Sequence, residues 1–63
     1  MISIWGRYLD GKPERIDTAK NENEAAYLLH EYKLAFGALP GQHSYRKWTL
    51  WAGRKGDEPK ETT

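Results

Sequence analysis

The chain has no cysteine, so no disulfide can staple it and no thiolate can hold a metal. No uninterrupted apolar run exceeds a few residues, which leaves nothing long enough to span a bilayer. The opening Met1-Ile2-Ser3-Ile4-Trp5 meets Gly6-Arg7 with neither a basic leader nor a long apolar stretch. A secretory signal is therefore not expected, and the cytoplasm is the default location. Histidine occurs only as His30 and His43, one in a helical stretch and one in a loop, and their spacing suggests no three- or four-ligand site. His43 and Ser44 are chain neighbours, which is no nucleophile–base arrangement, since those groups must meet in space with an orienting third. Gly37-Ala38-Leu39-Pro40-Gly41 lacks the lysine and glycine pattern of a phosphate loop. The expectation is a non-enzymatic protein with no cofactor and no metal.

Acids are missing from one segment. Residues 32–56 carry Lys33, Arg46, Lys47, Arg54 and Lys55 with no Asp or Glu, whereas residues 1–31 have four cations against six acids. The formal net charge of +1 thus hides a basic segment that permits anion binding without requiring it.

What the chain does have is aromatic residues in two stretches that echo each other, Ile4-Trp5-Gly6-Arg7-Tyr8 and Tyr45-Arg46-Lys47-Trp48-Thr49-Leu50-Trp51-Ala52-Gly53-Arg54. They hold all three tryptophans. At 63 residues one small domain is expected, over 1–55, followed by a disordered polar tail over 56–63.

Residues 2–9 alternate as a strand, with Ile2, Ile4, Gly6 and Tyr8 on one face and Ser3, Trp5, Arg7 and Leu9 on the other. Asp10-Gly11 with Pro13 signals a turn in which the glycine supplies the positive φ, and a second strand over about 14–18 points Ile16 inward with Arg15 and Asp17 outward. Asn21 with Glu24 resembles a capping box, with Asn23 as the alternative cap. Ala25, Leu28, Leu29, Tyr32, Ala35 and Phe36 recur at helical spacing, and Gly37 ends the run, which predicts a helix over 22–36. A third strand over about 45–54 puts Trp48, Leu50 and Ala52 on one face and Tyr45, Lys47, Thr49 and Trp51 on the other.

The order β-β-α-β predicts a two-layer α+β fold. Its three-stranded sheet, in order 2-1-3, carries one helix packed on one face. Ile4, Tyr8, Ile16, Trp48 and Leu50 form the core with Leu28, Leu29, Tyr32 and Phe36.

The other sheet face, which Asp17 shares, then displays Trp5, Arg7, Arg15, Lys47, Thr49 and Trp51, with Arg54 close by. Trp and Arg are favoured anchors of protein interfaces, so these seven residues are the candidate site of a protein-binding or self-associating module, a homodimer being one form. The alternative is single-stranded nucleic-acid binding, with bases stacked on the indoles and phosphates near the cations. A third reading gives the indoles no partner and makes them cross-strand packing alone.

Trp5-Gly6-Arg7-Tyr8, Asp10-Gly11-Lys12, Ile16-Asp17-Thr18 and Glu24-Ala25-Ala26 resemble the hairpin-to-helix passage of the AP2-like arm-binding domains of phage-type integrases. That family reads DNA with a sheet whose three strands all precede the helix. Here two strands precede it and one follows, the match covers about half the chain, and no family is assigned on it.

Overall fold

A computed structural model of the chain describes residues 1–58. Its elements are β1 (Ile2–Tyr8), β2 (Glu14–Ala19), α1 (Glu22–Phe36) and β3 (Trp48–Gly53). The strands lie in the order β2-β1-β3, and β1 runs antiparallel to both neighbours. The fold is the small α+β arrangement expected from the order of elements, with α1 in contact with all three strands.

The helix occupies the predicted residues because both of its ends are chemically specified. Asn21 accepts a hydrogen bond from the Glu24 amide at 2.9 Å, which settles the cap in its favour over Asn23. The Glu24 carboxylate in turn accepts from the Lys20 amide at 2.8 Å. At the other end Gly37 takes φ 73°, and the Ala38 and Gly37 amides donate back to Lys33 and Leu34 carbonyls in a Schellman closure. Beneath the helix, Ile4, Ala19 and Ala25 form a core flanked by Ile2, Leu28, Leu29, Tyr32 and Ala52.

β2 is irregular in a useful way. Ile4 lies opposite Asp17 while Trp5 lies opposite Arg15, so Ile16 is an extra residue bulged from the ladder. Ile16 turns inward and reaches over Gly6, whose missing side chain leaves room for Ile16 Cδ1 and Leu50 Cδ2. Asp17, expected outward, is carried by the bulge to the helix side with Ile4. There the Tyr32 hydroxyl donates to its carboxylate at 2.7 Å.

Two turn details also differ from expectation. The first turn closes through Gly11 N–H to Tyr8 O, so the positive φ (52°) falls on Leu9 and not on Gly11. Gly11 is needed for approach instead, because a Cβ there would stand 3.1 Å from the Tyr8 carbonyl oxygen. β3 begins at Trp48 and not at Tyr45, because the Tyr45 and Lys47 amides are committed to turns through Gln42 O and Ser44 O. Tyr8, expected in the core, is 46% exposed and packs at the sheet's end against Trp48, at 5.0 Å between ring centroids. Trp48 meets Phe36 in turn at 4.8 Å.

Candidate functional site on the second sheet face

The strand pleat gathers five of the seven candidate residues on the face away from the helix. Trp5 stands between Trp51 on β3 and Arg15 on β2, and Arg7 lies opposite Thr49. Lys47 is exposed in the turn before β3, tied to the sheet by Leu9 N–H donating to its carbonyl at 2.7 Å. Arg54 is exposed just past the other end of that strand.

This face is not bare. Trp51 is only 3% exposed and Trp5 is half-buried. The chain leaves β3 at Gly53, with φ 129°, and reverses in a turn closed by Asp57 N–H to Arg54 O at 3.0 Å. The Asp57 carboxylate accepts from the Arg54 amide at 3.0 Å. Glu58 then reaches Arg7, whose Nε donates to Oε2 at 2.9 Å and whose Nη2 makes the ion pair with the same oxygen. Both indoles point their N–H groups at the departing backbone, Trp5 to Gly53 O at 3.0 Å and Trp51 to Arg54 O at 2.8 Å. The tail expected from Gly56 onward thus has its first three residues in this turn and ion pair, and 59–63 lie outside the described residues.

Electrostatically, cations surround the face while its central pair is aromatic. Arg15, Lys47 and Arg54 side chains are exposed. Arg7 also donates through Nη1 to Leu9 O, which links the face to the hairpin tip. There Leu9 is 51% exposed and Tyr45 is 47% exposed, beside Arg46 and Lys47. Alternation assigned Tyr8 to the core face and Leu9 to the face of Trp5 and Arg7, without marking Leu9 as a candidate. Glu58 was likewise passed over, although an acid following a Gly-Asp turn and a basic segment is a readable complement.

On the helix side, the Asp17 carboxyl is held below its ordinary value by the Tyr32 hydroxyl, then by the Thr18 amide, against a smaller opposing effect of burial. The same hydrogen bond raises Tyr32. This pair fastens α1 to β2 and offers nothing to a substrate. A shallow groove between the helix start and the sheet, lined by Ile2, Ala25, Ala26, Leu29 and Ala52, has Glu22 as its one charged group. Among the described residues no cluster of three His, Asp or Glu side chains could hold a metal, and no helix is long and apolar enough to cross a membrane. Comparisons with protein-family models, with curated proteins and with solved structures find no match to this chain.

Proposed function

We propose that the chain is a small non-enzymatic cytoplasmic module that binds protein, a second copy included, through the second sheet face. Trp5, Arg7, Arg15, Thr49 and Trp51 form its centre, and Lys47 and Arg54 its ends. One observation carries this reading. The face spends its indole N–H groups on backbone carbonyls and its arginine on a carboxylate, which are the groups a polypeptide presents. The hairpin tip supports it as well. Leu9 is an exposed apolar side chain in a backbone conformation that L-residues rarely adopt, and neither core packing nor turn preference accounts for a leucine there.

The nucleic-acid alternative draws on the same cations. With Trp51 buried, the second sheet face itself presents no second open indole for a base to stack on. Sedimentation velocity and NMR dilution from micromolar to millimolar chain test the self-binding form, which predicts broadening centred on Trp5, Arg15 and Thr49. A strict monomer removes that form. Mixed single-stranded oligonucleotides that move the same signals, with affinity falling steeply as salt rises, would replace the protein reading with the nucleic-acid one.

A further inference from the structure

We infer that Arg54–Glu58 is a displaceable intramolecular strap on the second sheet face, and that the site it fills accepts an acidic peptide segment that turns as this one does. The inference rests on the protein-binding reading of that face and names its ligand class and its control.

The strap's contacts define what the site recognises. The Trp51 indole takes a main-chain carbonyl, that of Arg54, and Arg7 takes a carboxylate, that of Glu58. The Arg54 and Lys55 side chains point into solvent and lend no recognition. A segment that offers a carbonyl and, four residues on across a turn, a carboxylate satisfies the same two donors. Arg15, exposed across from Trp5, supplies a second cation on the rim. β3 itself, Trp48–Gly53, carries no acid.

The strap is also built to leave. The side chains of its Arg7–Glu58 pair are 23% and 30% exposed, so water reaches the pair at the rim of the face. The strap begins just past Gly53 and contains Gly56, around which there is open space. Trp51 opposes a vacant site, since its ring would lie open to water once the strap lifts. The strap therefore exchanges for another segment more readily than it leaves the face empty, which makes it a competitor that sets the threshold for binding.

The test uses the full chain, its Glu58→Gln variant, and a synthetic peptide of residues 54–63 as the probe. Trp51 indole N–H exchange should run about tenfold or more faster than exchange of the Ile4 and Gly6 amides, as local opening requires. E58Q should speed the indole several-fold and leave those amides unchanged. Millimolar peptide, comparable to the effective concentration of a short tether, should shift the Trp51 and Arg7 signals of E58Q, while the peptide with Gln at the Glu58 position should not. Indole exchange only through global unfolding, in both chains, would overturn the strap and leave the protein-binding reading to its own test. Local opening with no peptide shift would overturn the ligand class. An opened face that takes an oligonucleotide in preference to the peptide would overturn both.

Discussion

Gly6→Ala is the sharpest probe of how this sheet is packed. An alanine Cβ at that position would stand 2.7 Å from Ile16 Cδ1 and 2.7 Å from Leu50 Cδ2. Carbon atoms in good contact sit about 3.5–4.0 Å apart, so each methyl must retreat by roughly 1 Å. Ile16 is half-buried on an edge strand and can yield, whereas Leu50 is 3% exposed in the packed interior and cannot. Overpacking of this kind costs about 1–3 kcal/mol, and the reduced freedom of the unfolded chain returns about 0.4–1. The expected net loss is about 1–2 kcal/mol, or a Tm lowered by about 5–15 °C in a domain of this size. Urea and thermal melts followed by tryptophan fluorescence and circular dichroism give the number. Adding Ile16→Val removes one of the two obstructing methyls, so the double variant should be less destabilised than the sum of the singles by about 0.5 kcal/mol or more. A neutral or stabilising Gly6→Ala, or strict additivity with Ile16→Val, would refute the packing argument.

Other substitutions test separate joints. Tyr32→Phe removes the hydroxyl that holds the Asp17 carboxyl low. A lowered folded-state value contributes stability that is full above the unfolded value near 3.8 and is lost as pH falls through the folded one. Wild type should thus exceed Tyr32→Phe in stability at neutral pH, with the gap closing in acid denaturation curves below about pH 4. On the alkaline side Tyr32 is raised, so its contribution is full below 10 and disappears as pH climbs through the folded-state value, an arm the phenylalanine variant lacks. Gly37→Ala should cost about 1 kcal/mol in urea melts for its left-handed backbone alone, since the nearest atoms to a new Cβ lie at an ordinary 3.5 Å. Leu9→Asn should stabilise the fold by about 0.5–1 kcal/mol, because asparagine tolerates the φ of 52° better, while weakening any self-association that uses the hairpin tip.

Much of the fold was legible because its signals are local. Asn21, the spaced apolar residues and Gly37 mark the helix to the residue, and the order of elements carries the 2-1-3 sheet. The bulge was not legible. Ile16 and Asp17 alternate in sequence like any strand pair, and only the demand of β1 for a filler over Gly6 sends both to one side. Tyr45 read as strand because aromatic alternation continues through it, yet its amide is claimed by a turn formed with Gln42. The candidate site was half legible. Alternation assigned Trp5, Arg7, Thr49 and Trp51 to one face, and with Arg15 that face exists. The Arg7–Glu58 pair, which ties the segment after β3 to this face, joins residues at opposite ends of the described chain.

On the second sheet face the chain's own Arg54–Glu58 segment meets the Trp51 indole N–H and the Arg7 guanidinium. Solution NOE spectra read at the Trp51 ring and the Arg7 side chain examine this directly. The structure predicts cross-peaks from Trp51 to Arg54, cross-peaks from Arg7 to Glu58, and a slowed indole N–H. An indole at Trp51 that exchanges like a free one, with no cross-peak to any residue past Gly53, would contradict it.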